Sequence, residues 1–347
     1  MFDLTRRNAL KLLGAAAAFS FTSAPDALAV PSSGNSLFDE VAFKAAKFHR
    51  EEVPGILDTA QYASIFEHKQ ATQAIERVVH TRFADLGQHV RVHDQSRFEN
   101  ARFIWNFEPV EYGLGFPVVA DDDPREVVSG SVFEGPVKPI RLKDVASYFR
   151  PLTTALMQMR EIEAADILNK GRTYDASVGG DGMPLCSESH PWDRGVWSNT
   201  FSKPLNASSL KEACEAIRNT FVDDRGVRVN VRPKQLVVPV ELMLVAERLV
   251  ETELRPGTAD NDIVAVSGVR LGDDVVAPYA VIDYLTDNAA WFITTNITGM
   301  VFFERRPYQI TCEYDREADA VLVTGHERRI FGCHNPRAIF GSFPNHA

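Results

Sequence analysis

Apolar residues recur at three- and four-residue steps over Leu37 to His49 and again over Ile56 to Phe83, a spacing that predicts helices in both stretches. From Val90 to Leu142 the texture turns to strand. Phe103, Trp105 and Phe107 alternate with Ile104, Asn106 and Glu108, and the turn-rich Asp121-Asp122-Asp123-Pro124 interrupts the run, so one long hairpin fits the pattern best. The clearest helix is expected to open at Pro151, whose missing N–H costs nothing at a first helical position, and to end at Asn169-Lys170-Gly171. Leu152, Leu156, Met159 and Ile162 or Glu163 mark its apolar face.

Gly171 to Leu205 has no period and holds Gly179-Gly180, Gly182 and Gly195, which reads as a long irregular loop of the kind usually kept for function or contact. Ser209-Leu210-Lys211-Glu212 has the form of a capping box, and Leu210, Cys214, Ile217 and Phe221 continue an apolar helical face. Beyond the turn Asp223-Asp224-Arg225-Gly226, strands are expected at Val227 to Val231 and Leu236 to Val238. Pro239 then opens a helix carrying Leu242, Ala246 and Leu249. The rest is short strands, at Val275 to Leu285, Trp291 to Thr295, Val301 to Glu304, Gln309 to Tyr314 and Ala320 to Val323. The fold class is α+β.

Composition narrows the function more than the fold. With 45% hydrophobic and 24% charged residues over 347 positions, most of the chain can fold, as two lobes. A formal net charge of −10 argues against a surface that grips phosphate backbones, and the pairs Arg305-Arg306 and Arg328-Arg329 are expected to be solvated or paired at interfaces. Cysteines 186, 214, 312 and 333 lack CxxC spacing, so reduced thiols are expected, with no metal site and no cofactor.

Motifs for hydrolase, phosphate, zinc-helix and dinucleotide chemistry (GxSxG, P-loop, HExxH, GxGxxG) do not occur in the sequence. His190 with Asp181 has the composition of a base and its orienting carboxylate, but a loop histidine before proline reads first as structural. Glu161 and Glu163 fall on different helix faces, and the acidic triplets at 121–123 and 260–262 read as turns rather than calcium loops. No catalysis is expected.

The first residues carry a different signal. Arg6-Arg7 precedes an apolar stretch from Leu12 to Phe21, and Ala27-Leu28-Ala29 offers small residues for cleavage, which is similar to a twin-arginine export leader. The stretch is shorter than the roughly 20 residues that span a bilayer, so a stable membrane anchor is not expected. If used, the leader would send an exported binding or redox protein to the periplasm.

An ordered series runs through the last two-thirds of the chain. It comprises Glu163-Ala164-Ala165, Asn169, Asp181-Gly182, Leu185, Ser187, His190-Pro191, Ser198-Asn199, Leu205 and Leu210, then Asp224, Gly226, Pro233, Leu236 to Pro239 and Ala246. It continues with Asn261-Asp262, Asp283, Trp291-Phe292, Arg305 and Asp315, and closes on Arg328, Phe331-Gly332, Asn335-Pro336-Arg337 and Gly341-Ser342. This series resembles the major head subunit of Mu-like phages, a branch of the Hong-Kong-97-type capsid family; Cys186 departs from the family pattern, and the first hundred residues match it poorly.

The leader signal sets apart 1–29 as signal-like or processed, and the resemblance implies an N-terminal arm with helices at 30–97 and an extended hairpin loop at 98–137. It further implies a peripheral domain at 138–204 and 286–347, which contains a long spine helix, and an axial domain at 205–285. Phe103, Trp105 and Phe107 are then expected to bury against a neighbouring subunit, because an isolated two-stranded ribbon is marginal by itself. The implied role is a capsid shell of pentamers and hexamers in the virion of a tailed phage or prophage, assembled in the host cytoplasm. Scaffold, portal and maturation protease are the implied partners, and DNA is enclosed without sequence-specific binding. A cellular nanocompartment shell on the same fold is the other building role.

Overall fold

A computed structural model describes residues 18–20, 34–80, 103–129, 136–192, 195–223, 226–250 and 279–346. The leader residues Arg6, Arg7, Ala27 and Ala29, most of the strand expected at Val275 to Leu285 and the acidic triplet at 260–262 lie outside the described residues. The chain divides into two units. The first comprises Met1–Ala60, Pro109–Arg160 and Glu304–Arg329, and the second comprises Gln61–Glu108, Glu161–Phe303 and Ile330–Ala347.

In the first unit, helix Ser36–Glu51 begins where the Asn35 side chain accepts the Phe38 N–H at 3.1 Å. Its buried positions Phe38, Val41, Ala42, Ala45 and Phe48 follow the three- and four-residue steps read from the sequence. They pack with Phe149, Leu152 and Leu156 of a long helix and with Ile310, Cys312, Val321 and Val323 of a sheet. In that sheet the strand Ala320–Cys333 pairs antiparallel with Val110–Val119, from Val321 opposite Val118 to Arg329 opposite Val110.

The long helix is Ala146–Asn169, with Pro151 inside it rather than at its start. Asp144 and Val145 supply the carbonyls that receive the N–H groups of Ser147 and Tyr148, and burial of Phe149 holds the turn ahead of the proline. Ser147 and Pro151 are both exposed, so the carbonyl that loses its i+4 donor lies on the wet side of the helix. On the dry side, the buried stripe runs Leu152, Thr153, Leu156, Met157 and then Arg160, which is 3% exposed.

Arg160 meets a matching change of character on the sheet. Within the first unit the inward positions of the Ala320–Cys333 strand are Val321, Val323, Gly325, Glu327 and Arg329, apolar giving way to ionic. Arg160 Nε donates to both oxygens of Glu327, at 3.2 and 2.8 Å, and its Nη2 donates to Glu304 at 3.3 Å. Arg329, fully buried, donates from Nε to the same Glu327 carboxylate and lies 4.4 Å from the Tyr112 ring centre. The expectation that Arg328-Arg329 is solvated or at an interface is thus corrected for Arg329: two carboxylates and two guanidiniums balance inside the unit. Beside them Tyr308, its hydroxyl 3.0 Å from Thr153 Oγ1, has its pKa pushed up to about 12 by burial.

The second unit is built on a five-stranded sheet, in the order Tyr279–Val281, Pro233–Val238, Trp291–Thr295, Ile339–Ser342, Thr200–Phe201. Its central strands are apolar on both faces, as the runs at Leu236 to Val238 and Trp291 to Ile293 require. Helix Ala207–Thr220 lays Leu210, Ala213, Cys214 and Ile217 against them. The capping box is real but sits three residues earlier than read: Asn206 is the N-cap, and Ser209 is its reciprocal partner. After Pro239 a 3-10 turn, Val240–Leu242, precedes helix Met243–Val250.

The helix expected over Ile56 to Phe83 does not form. Val53–Leu57 is one short helical turn, and the chain then forms strands Glu67–Gln70 and Glu76–His80. The break falls at Gln61 and Tyr62, whose N–H groups are both taken by the Glu161 carboxylate, at 2.6 and 3.2 Å. A cross-strand partner for Val78 and Val79 then completes the strand.

The buried ionic cluster yields a stability prediction. Arg160→Met leaves Glu327 and Glu304 with one guanidinium between them and should cost about 3–5 kcal/mol in chemical denaturation. A loss under ~1 kcal/mol would show that the cluster does not hold this unit together.

Candidate assembly surface

The strand Phe103–Phe107, expected within the hairpin at 98–137, has its partner strand upstream. It pairs antiparallel with Glu76–His80, with Glu76 opposite Phe107 and His80 opposite Phe103. Val110–Val119 pairs with the Ala320–Cys333 strand instead, and within 98–137 only Val128 and Val137 bridge each other among the described residues. The ribbon described here therefore draws one of its two strands from upstream of residue 98. Alternation alone identified Phe103–Phe107 as a strand but could not name its partner, because register depends on residues distant in sequence.

At the ribbon the three aromatic residues divide. Trp105 and Phe107 are 7% and 1% exposed and pack with Ala71, Val301 and Phe303, the Phe107 and Phe303 rings 5.4 Å apart. Phe103 is half-buried, 6.0 Å from Trp105. Of the side chains expected to anchor a neighbouring subunit, Trp105 and Phe107 are thus buried within their own unit, and Phe103 keeps part of its surface exposed. Ile104 and Ile75 are 41% and 45% exposed, and the sequence pattern had no means of ranking them above the aromatics.

The irregular loop from Gly171 holds the ribbon from its other side. Asn106 N–H donates to the Val178 carbonyl at 2.8 Å, and Gly180 N–H donates to Ile104 at 2.8 Å, so the loop lies along Phe103–Phe107 as a brief third strand. Gly180 has φ +92°, and a Cβ there would run into the Trp105 indole, so only glycine meets both demands. The loop is thereby a clamp on the ribbon.

Beyond the clamp, Asp181 Oδ2 lies 2.6 Å from His190 Nδ1, and His190 Nε2 lies 3.1 Å from Asn199 Oδ1. Asn199 Nδ2 donates to the carbonyls of Leu185, Pro336 and Ile339, at 2.8, 3.0 and 3.2 Å, while its Oδ1 accepts the Ser187 N–H at 2.8 Å. Three carbonyls around Nδ2 fix the amide's orientation, which makes His190 Nε2 a donor. The imidazole stacks on Trp197 at 4.6 Å, and Arg337 lies 5.0 Å from the same indole while donating to the Val222 carbonyl. Asp181, Leu185, Ser187, His190, Asn199, Pro336 and Arg337, scattered through the ordered series, thus meet in one network.

This network is a fastening. His190 is fully buried with both ring nitrogens engaged, so moving a proton to or from a bound molecule would first require dismantling it. Cys186 is also buried, its thiol pushed up by desolvation, and the thiols of Cys214 and Cys333 are raised to about 11 and about 12 for the same reason. Among the described residues no three His, Cys, Asp or Glu side chains stand together as a metal would need, and no helix is long and apolar enough to cross a membrane. Asp123 is held down to about 2 by its hydrogen bond from Arg125, which belongs to turn chemistry.

The described surface is more informative. On and just before helix Met243–Val250, Val240, Met243 and Leu244 are 50%, 39% and 59% exposed, while Ala246 faces the core. The reading that placed Leu242, Ala246 and Leu249 inward left Met243 and Leu244 over, and that surplus of apolar residues was the available signal.

Two substitutions test the clamp. Trp105→Ala should destabilise the protein by about 3–5 kcal/mol through the cavity it leaves, and Gly180→Ala by about 1–3 kcal/mol through strain and overlap, both read from denaturant unfolding of the full chain. Wild-type stability for either variant would mean that the loop and ribbon are not packed as described.

Comparison with known proteins places the chain. No curated protein matches it. Distant likenesses among solved structures include a phage-related protein from Bordetella bronchiseptica RB50, 10% identical, TM-score 0.48, covering 83% of this chain and 92% of that one. Another is a virus-like particle protein from Pyrococcus furiosus, 10% identical, TM-score 0.47, covering 89% and 100%. A third, from Mycobacterium phage Che8, is 12% identical with TM-score 0.45, covering 82% and 92%. The family model described as phage capsid protein matches residues 141–341, more than half of the chain and the span that contains the clamping loop and the network, and the protein belongs to that family.

Proposed function

We propose that this protein is the major capsid subunit of a tailed phage or prophage, of the Mu-like branch, which self-assembles as pentamers and hexamers into the head shell around the genome. The family match over residues 141–341 carries the reading. The work done is construction: one subunit surface repeats a heterologous contact, and partner proteins set the curvature that closes the shell. Scaffold, portal and maturation protease are the partners this role calls for, and the host cytoplasm is where assembly occurs. A net charge of −10 suits a wall that encloses DNA without gripping its phosphates.

Within this reading the ribbon Glu76–His80 with Phe103–Phe107 replaces the segment 98–137 as the extended loop, and the segment 205–285 forms the axial domain. Val240, Met243 and Leu244 then supply apolar area to the next copy in the ring.

Leu244→Asp separates folding from assembly. The side chain is 59% exposed, so the variant should unfold within about 0.5 kcal/mol of wild type. Its yield of fast-sedimenting particles on a sucrose gradient should nevertheless fall at least about tenfold, a coupling of ~1.4 kcal/mol per contact or more. Undiminished particle yield would remove this helix from the interface.

A further inference from the structure

The twin-arginine-like leader is the one sequence motif that a shell role does not absorb. Part of it has a place in the fold: Ala18–Ser20 is a strand on the outer edge of the first unit's sheet, antiparallel to Met300–Asp315, with Ala18 opposite Glu313, Phe19 opposite Cys312 and Ser20 opposite Thr311. We propose that Ala18–Ser20, within the leader's apolar stretch, is a retained element of the fold, an edge strand of this sheet, and that the folded chain keeps it from the export machinery.

Two features of the receiving strand support this. Tyr308, Gln309, Ile310, Thr311 and Cys312 are all buried although alternate residues face opposite sides, so both faces of the strand are covered and its edge is the remaining opening. Of the three receiving positions, Thr311 and Cys312 carry no charge and no proline ring that would blunt such an edge, while the charge of Glu313 falls at the end of the pairing, opposite the small Ala18. The short apolar stretch from Leu12 to Phe21 can supply the pairing segment, since main-chain hydrogen bonds ask only for extended backbone. An export signal has to be presented as free chain, whereas residues hydrogen-bonded into a sheet are occupied. Strand and signal are therefore competing uses of the same residues, and folding favours the strand.

The native Cys312 provides the test. Directly opposed residues of an antiparallel pair have Cα atoms about 4.5–5.5 Å apart, inside the roughly 4.4–6.8 Å range that a disulfide accepts. Phe19→Cys, made in the full chain and expressed in an oxidising cytoplasm so that oxidation accompanies folding, should carry an intramolecular disulfide from the introduced thiol to Cys312 in most chains. It would be read by peptide mass spectrometry and by migration as a monomer on a non-reducing gel. Oxidation during folding matters because burial pushes the Cys312 thiol up to about 12 in the finished protein. Ala18→Cys, one residue out of register, should not crosslink.

A disulfide-linked dimer would overturn the proposal by showing that the strand comes from a second copy, and a soluble variant with no crosslink above the Ala18→Cys background would overturn it outright. Hydrogen exchange supplies a measurement that does not depend on the cysteine. In the double variant Phe19→Pro/Ser20→Pro, which loses two successive N–H groups of which one faces the receiving strand, amides within 309–315 should exchange at least about tenfold faster than in the wild-type chain; unchanged exchange contradicts the proposal. The intact mass of the soluble wild-type chain should include residues 1–29, and a periplasmic product cut after Ala29 would contradict it as well.

Discussion

Arg160 sits on the dry side of a helix, and a charge in that position has to be met. Glu327 and Glu304 meet it, with Arg329 sharing the Glu327 carboxylate, which fixes the helix against the sheet in the first unit more narrowly than apolar packing could. Leu152 and Leu156 could slide past Val321 and Val323 at modest cost, since aliphatic contacts are not directional. Arg160 cannot slide without stranding a carboxylate. Within the first unit both elements change from apolar to ionic along their buried faces, and they can be apposed there only with those changes at the same level. Specificity of register is a recognised use of buried polar groups, and here it sets the frame on which the apolar contacts of the first unit settle.

The second unit uses neutral hydrogen bonds for a similar end. One asparagine side chain, Asn199, ties the carbonyls of Leu185, Pro336 and Ile339 to the Ser187 N–H and the His190 ring. His190 joins this knot to Asp181, one residue past the glycine that closes on Trp105. A building protein needs its contact surfaces delivered in one geometry, and a clamp made of backbone pairing, a left-handed glycine and a buried indole provides that for the ribbon. The same groups explain why the region looked catalytic in outline: a histidine with a carboxylate partner is equally the material of a buried structural network.

Legibility followed the reach of each signal. Leu210, Cys214, Ile217 and Phe221 revealed their helix, and Leu236 to Val238 and Trp291 to Thr295 their strands, because these patterns are local and strong. The ordered series that pointed to the capsid family was legible although no part of it is specific, and the structure gathers a part of it around Asn199. Partners were not legible. The alternation at Phe103 to Phe107 could not reveal Glu76–His80 across the intervening segment, nor could it show that Trp105 faces its own unit. Apolar spacing over Ile56 to Phe83 imitated a helix until Glu161, a hundred residues away, captured the Gln61 N–H. Arg329 passed for a surface or interface charge because burial of an ion depends on its counter-ion, and sequence shows no contacts.

The central claim is that this chain builds a shell. Negative-stain electron microscopy of the full-length protein, expressed with scaffold and protease from the same gene neighbourhood, tests it most directly. The account predicts rings or closed particles of uniform diameter made of this subunit; a strictly monomeric, folded product under those conditions would contradict it.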